Sequence, residues 1–170
     1  MPLLDAAYGW ALHATRNRAD AEDLVQDATL NALRAFHTFE QGTNFKAWYF
    51  RILMNCFYSS YRKRRREAVS HSIEETPELY ILQRSQAAGL DTSGSDPARS
   101  ALARIQDEHV TAALQALPEE FRVVATLYFV QDFTYQELAD MLNIPIGTVR
   151  SRLHRARRLL QKELWQLAYE

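Results

Sequence analysis

Val149, Leu153, Ala156 and Leu160 recur at helical spacing behind a capped helix start and a tight turn, and this pattern fixes how the end of the chain can fold. At about 100° per residue they form one narrow apolar stripe on a helix running from about Thr148 past Leu164. Upstream, Thr134-Tyr135-Gln136-Glu137 has the spacing of a capping box, in which threonine and glutamate each satisfy an amide at the helix start. It opens a short helix with Leu138, Ala139 and Leu142 on its packing side. Asn143-Ile144-Pro145-Ile146-Gly147 then enforces a turn. A short capped helix, a turn and a long amphipathic helix make a helix-turn-helix.

The other face of the last helix carries Ser151, His154, Arg155 and Arg158, with Arg150 at its edge. Arginine can pair bidentately with guanine in the major groove, and serine and histidine can hydrogen-bond a base edge or a phosphate. One face packs and the other is available for DNA. A solvated basic face is the alternative for an isolated helix; the capped helix and turn ahead of it favour DNA.

The remaining sequence also reads as helices. Only five glycines and five prolines interrupt 170 residues, which points to long helices and few hairpins. Asp20 is placed as an N-cap, with Asp23 three residues on. The helix it opens carries Leu24, Ala28, Ala32, Ala35, Phe36 and Phe39 on a buried face and Asp23, Gln26, Asp27 and Asn31 on a polar one. After a break at Gln41-Gly42-Thr43-Asn44, a helix from Phe45 turns Trp48, Ile52, Leu53 and Cys56 toward a core. From Ala68 to Ser100 the periodicity is lost. Thr92-Ser93-Gly94-Ser95-Asp96 marks a linker tract, with at most a turn of helix near Leu79–Arg84. Order returns near Ala101, where Leu102, Ile105, His109, Ala113 and Leu117 suit a helix ending at Pro118. The next helix buries Phe121, Val124, Ala125 and Tyr128.

The net charge of -1 conceals clustering. Arg62, Lys63, Arg64, Arg65 and Arg66 are consecutive, and Arg150, Arg152, Arg155, Arg157, Arg158 and Lys162 fill the last helix. Phosphate backbones respond to such local positive potential. Phe36, Phe39, Phe45, Trp48, Tyr49, Phe50, Phe57, Tyr58 and Tyr61 crowd the chain before the first cluster. Rings beside cations suit single-stranded nucleic acid, although most such rings belong to a core.

Several function classes are disfavoured. No run approaches the ~20 apolar residues of a spanning helix, and the N-terminus lacks a signal-peptide pattern. The single cysteine, Cys56, excludes an internal disulfide and fits the cytoplasm. His13, His37, His71, His109 and His154 have no metal-ligand spacing, and there is no glycine-rich phosphate loop. Neither a cofactor, a metal nor an enzymatic activity is expected.

Together these residues resemble the extracytoplasmic-function sigma factors of bacterial RNA polymerase. In the first half the resemblance rests on Asp20-Ala21-Glu22-Asp23-Leu24-Val25-Gln26-Asp27, on Phe45-Lys46-Ala47-Trp48, on Arg51-Ile52-Leu53-Met54-Asn55 and on the basic run. In the second half it rests on Ala116-Leu117-Pro118-Glu119-Glu120-Phe121-Arg122, Thr134-Tyr135-Gln136-Glu137-Leu138-Ala139 and Gly147-Thr148-Val149-Arg150-Ser151-Arg152. It implies an all-α chain of two small domains: sigma region 2 at 1–67, a flexible acidic linker at 68–100, and sigma region 4 at 101–170. Core RNA polymerase and promoter DNA are the implied partners.

The resemblance also implies residue roles. Asp23, Gln26 and Asp27 match the face that meets core polymerase. Phe39, Ile52 and Asn55 match the pocket that takes a flipped base of the minus-ten element. A loop after Asn55 carrying Arg62, Lys63, Arg64, Arg65 and Arg66 would hold the surrounding phosphates. Arg150, Ser151, His154, Arg155 and Arg158 match the minus-thirty-five contacts. The linker would run near the RNA exit path of the polymerase, or serve as a plain tether. Gly42-Thr43-Asn44-Phe45 resembles the subgroup that answers thiol-oxidative stress through a zinc-binding anti-sigma protein. The competing reading is a stand-alone helix-turn-helix regulator that binds duplex DNA without polymerase.

Overall fold

The structure, a computed structural model, describes residues 2–69 and 108–169. The predicted linker, the turn near Leu79–Arg84, and Leu102 and Ile105 lie outside the described residues. Among the described residues all regular structure is helical. The N-terminal bundle comprises α1 (Pro2–Thr15), α2 (Arg18–Ala35), a 3-10 turn (Phe36–Thr38) and α3 (Phe45–Val69). The C-terminal bundle comprises α4 (Glu108–Ala116), α5 (Glu119–Ala125), a π turn (Thr126–Val130), α6 (Tyr135–Leu142) and α7 (Ile146–Tyr169).

In the N-terminal bundle, α1 lays Ala7, Trp10, Ala11 and Ala14 against α2 and α3. Trp10 is fully buried and meets Phe57 edge-on at 5.4 Å. Small residues face it: Ala21, Ala28 and Ala32 of α2 let the helix axes approach closely. Phe50, Leu53 and Met54 of α3 are wholly buried, each contributing about 1.5–3 kcal/mol of apolar transfer. A hydroxyl pair, Thr29–Tyr49 at 2.9 Å, and Asn31 Nδ2 donating to Cys56 Sγ at 3.3 Å, tie α2 to α3.

Three expectations for this half need correction. The N-cap of α2 is Asn17, whose side chain accepts from the Asp20 amide at 3.1 Å; Asp20 lies inside the helix. The reason is upstream: α1 ends with Arg16 in the left-handed conformation at φ 55°, so the chain turns back and restarts one turn earlier. Second, α2 stops at Ala35. Phe36 falls in the 3-10 turn, 58% exposed, and Phe39 in extended backbone, so neither joins the buried face. Third, no loop follows Asn55. With neither glycine nor proline between Phe45 and Val69, α3 continues through the whole basic run.

The C-terminal bundle follows the sequence closely. Val149, Leu153, Ala156 and Leu160 are all buried. The capping box forms: Thr134 Oγ1 accepts from the Glu137 amide at 3.2 Å, and the Glu137 carboxylate accepts from the Thr134 amide at 2.8 Å. Asn143 closes α6 at φ 52°, with its amide on Ala139 O. Phe121 is only half-buried, whereas Arg122, in the same helix, is buried.

The bundles pack on each other, chiefly through α3 against α6 and α1 against α5. Phe50 meets Phe133 at 5.0 Å. Arg122 donates to Leu117 O at 3.1 Å and to Ala14 O at 3.3 Å, and Arg16 donates to the carbonyls of Gln115 and Leu117. Both guanidiniums thus serve carbonyls near the ends of α1 and α4, which helix geometry leaves unpaired.

Candidate nucleic-acid and protein interfaces

The exposed face of α2 is one continuous strip. Asp23, Gln26 and Asp27 lie on it at helical spacing, all exposed. Leu30 and Leu33 extend it toward the C-terminal end of α2, 47% and 69% exposed. An acidic end running into uncovered leucines suits a protein surface with basic and apolar groups, not a nucleic acid. Sequence patterning singled out neither leucine, because both lie off the apolar stripe of Leu24, Ala28 and Ala32.

A second site forms where α2 gives way to α3. The Phe39 ring sits 5.1 Å from Phe45, 5.4 Å from Trp48 and 6.2 Å from Phe36. Phe45 stacks on Trp48 at 5.4 Å, and Phe45 and Phe36 are 40% and 58% exposed. Two exposed rings, Phe36 and Phe45, and two half-buried ones, Phe39 and Trp48, form an aromatic cluster that reaches the surface and is able to stack. Ile52 and Asn55 lie four and seven residues beyond Trp48, on the same face of α3. Ile52 is half-buried and Asn55 exposed, so apolar surface and an amide adjoin the rings.

Because α3 continues as a helix, the basic run is distributed around it. At about 100° per residue, Arg62 and Arg66 fall within about 20° of the Asn55 direction. Lys63 and Arg65 flank that line by about 80°, and Arg64 lies opposite. Arg64 is engaged elsewhere, 2.8 Å from the Asp20 carboxylate. Arg62 therefore shares the Asn55 face further along α3, Lys63 and Arg65 flank it, and Arg64 is separated. Arg66, the last of the run, also shares the Asn55 face.

On α7, Arg150, His154, Arg155 and Arg158 are exposed together along one face, opposite the buried stripe. Ser151 is half-buried and donates its hydroxyl to Thr148 O at 3.1 Å, which leaves its oxygen free to accept. Arg157 belongs to the same basic cluster but turns inward. It donates to the Tyr135 hydroxyl at 3.0 Å and lies 5.7 Å from the Tyr128 ring centroid. Its task is to fasten α7 to α6, not to meet phosphate.

Three titration shifts involve groups drawn from both bundles. Burial, reinforced by Arg122, lowers the His13 pKa. Burial also lowers Lys46, against the opposing pull of Asp132 and Glu137. It raises Glu119 despite Arg122, Arg16 and Arg64 nearby. Among the described residues no three histidine, cysteine, aspartate or glutamate side chains form a group able to hold a metal, and no helix is long and apolar enough to cross a membrane.

Comparison with known proteins gives the same division of the chain. Residues 1–67 match the family described as Sigma-70 region 2, and residues 108–160 the family described as Sigma-70, region 4. The ECF RNA polymerase sigma factor EcfG of Rhodopseudomonas palustris is 35% identical, over 92% of this chain and 77% of that protein. The ECF RNA polymerase sigma factor SigE of Mycolicibacterium smegmatis is 32% identical, over 94% of this chain and 58% of the relative. Among solved structures, the sigma factor RpoE of Bartonella quintana, crystallised with the anti-sigma factor NepR, superposes with a TM-score of 0.69 at 32% identity, covering 96% of this chain and 92% of that one. CnrH in complex with the cytosolic domain of CnrY gives 0.55 at 25% identity, covering 96% and 80%. With two sigma domains in order and a relative 35% identical over 77% of its own length, this chain belongs to the ECF family of RNA polymerase sigma factors.

Proposed function

We propose that this chain joins core RNA polymerase and directs it to a set of promoters, with residues 1–67 and 101–170 as its working domains. The observation that carries this reading is the presence on one sigma-family chain of three separate exposed faces of different chemistry. The α2 strip of Asp23, Gln26, Asp27, Leu30 and Leu33 would seat the polymerase. The platform of Phe39, Trp48, Ile52 and Asn55 would hold a base taken out of the minus-ten stack. Losing the stack costs a few kcal/mol, and a shaped pocket returns it only for the right base, so opening and reading become one step. Arg62, Lys63, Arg65 and Arg66 would neutralise the phosphates around it. Arg150, Ser151, His154, Arg155 and Arg158 would read the minus-thirty-five element in the major groove. Sigma factors contribute this recognition rather than a catalysed reaction, and the work is cytoplasmic, where the polymerase is.

An anti-sigma protein is the second proposed partner, supported by the solved relatives captured with NepR and CnrY. The Gly42-Thr43-Asn44-Phe45 resemblance extends this to a zinc-binding anti-sigma protein and a thiol-oxidative signal. Co-purification of the native complex followed by zinc analysis tests that extension, and a zinc-free anti-sigma partner rejects it.

Run-off transcription tests the main reading. Core polymerase with the purified chain should start at discrete sites in genomic fragments, and those sites should share two upstream motifs. Starts indistinguishable from core polymerase alone would defeat the proposal.

A further inference from the structure

A groove of about 440 Å³ lies between α3 and the end of α6, lined by Arg51, Ala139, Asp140, Asn143, Ile144 and Pro145. Its size falls in the range of small-molecule sites, about 300–1,000 Å³. The elements that wall it are tied to each other. Lys46 Nζ donates to Gln131 O at 2.8 Å, and Phe50 meets Phe133 at 5.0 Å. Asn44 Nδ2 donates at 2.8 Å to Glu137, the carboxylate that also closes the capping box of α6.

The polar side chains of the groove are short of partners. Among the described residues neither the Arg51 guanidinium nor the Asn143 side chain has a hydrogen bond or an ion pair. Asp140 is engaged on one oxygen only. Gln136 Nε2, one turn back along α6, donates to its Oδ1 at 3.1 Å, which orients the carboxylate and leaves Oδ2 free. A guanidinium and a carboxylate thus line one groove without pairing, a place for an occupant that meets both. Asp140 and Asn143 are three residues apart, so their side chains lie side by side. Asn143 is held at φ 52° with its backbone amide on Ala139 O, which fixes where its side chain starts.

We propose that this groove binds a guanine mononucleotide with a single phosphate: Asp140 and Asn143 take the edge of the base, and Arg51 takes the phosphate. Guanine presents two adjacent N–H donors beside a carbonyl oxygen. A carboxylate accepts both donors, and a neighbouring carboxamide donates to the carbonyl. Adenine and cytosine offer a carboxylate one donor beside a ring acceptor, and uracil offers one donor between two carbonyls. Arginine is the side chain that grips a phosphate through two parallel N–H bonds. One phosphate is the limit here, because Arg51 is the one cation in the lining and Asp140 repels a second. A nucleic-acid strand is held by rows of cations instead. This proposal does not rest on the sigma-factor reading.

Equilibrium dialysis of nucleotides against the purified chain tests it. GMP should bind saturably at one equivalent, and AMP, UMP and inorganic phosphate should each bind roughly tenfold more weakly or worse. Asp140→Asn sets a donor against the donors of guanine and should erase the preference for GMP over AMP. Arg51→Gln should weaken GMP roughly tenfold and leave guanosine, which has no phosphate, unchanged. Asn143→Gly keeps the positive φ, removes only the side-chain amide, and should weaken GMP and guanosine alike. All three positions are exposed, so circular dichroism of each variant should match the parent. No saturable binding at about 1 mM GMP overturns the proposal. Equal binding of AMP, or GMP binding untouched by both Asp140→Asn and Arg51→Gln, overturns it as well. A guanine-containing single strand that binds more tightly than GMP, and loses that binding in Asp140→Asn, also overturns it and gives the groove to nucleic acid.

Discussion

Each arginine of the two basic clusters has its own employment, set by its angle on the helix. Arg64 points away from Asn55 and pairs with Asp20, whereas Arg62 and Arg66 share the Asn55 direction. Arg66→Ala should therefore lower open-complex yield, measured by permanganate reactivity of the minus-ten strand, more than Arg64→Ala does. The reverse order would reject the helical assignment. Arg150 is exposed on α7, so Arg150→Ala should weaken promoter use and relax sequence preference at one upstream position, by about 1–3 kcal/mol of discrimination. Selection of binding sites from a randomised duplex measures this.

His13 gives a pH dependence. Its Nδ1 is buried without a hydrogen-bond partner, and burial together with Arg122 holds its pKa below the ordinary 6.5. The folded state binds the proton less readily than the unfolded chain. Stability is therefore full above pH 6.5 and is lost as pH falls below it toward the depressed folded value. Urea titrations across that window should show the loss, and His13→Gln should remove this part of the pH dependence.

At the scale of elements, the helix-turn-helix depends on a cap that serves two neighbours. Thr134→Ala deletes the hydroxyl that accepts the Glu137 amide, and should cost about 1 kcal/mol in chemical denaturation. This region was the most legible from sequence, because its signals are local. The capping box, the turn and the apolar stripe each lie within a few residues, and each forms as expected. The basic run was misread for the opposite reason. A loop was assigned there from the resemblance, although no glycine or proline interrupts residues 45–69. Phe36 and Phe39 were assigned to a buried face because the end of α2 carries no breaker; periodicity continued past the point where the helix stops. Helix α1 was not identified as an element, though its Ala7, Trp10, Ala11 and Ala14 have helical spacing.

At the scale of the molecule, sequence patterns were silent about how the bundles meet. Lys46 and Gln131 are 85 residues apart, and Arg122 and Ala14 are 108 apart. No local rule connects such pairs. The site faces were legible because they are exposed single-element patterns, and the contacts between bundles were not because they are tertiary. Division of labour among those faces makes a further prediction. Asp27→Arg reverses the charge of the α2 strip at an exposed position, so it should abolish polymerase association while leaving helical content and melting temperature within experimental error. Circular dichroism alongside a pull-down on core polymerase checks both halves.

Gel filtration of the purified chain with bacterial core RNA polymerase tests the central claim most directly. The account predicts that the chain leaves its free position and co-elutes with polymerase at one equivalent, and that Asp27→Arg stays behind. A chain that elutes alone, yet shifts a duplex carrying its upstream motif, would contradict the account and identify a stand-alone regulator.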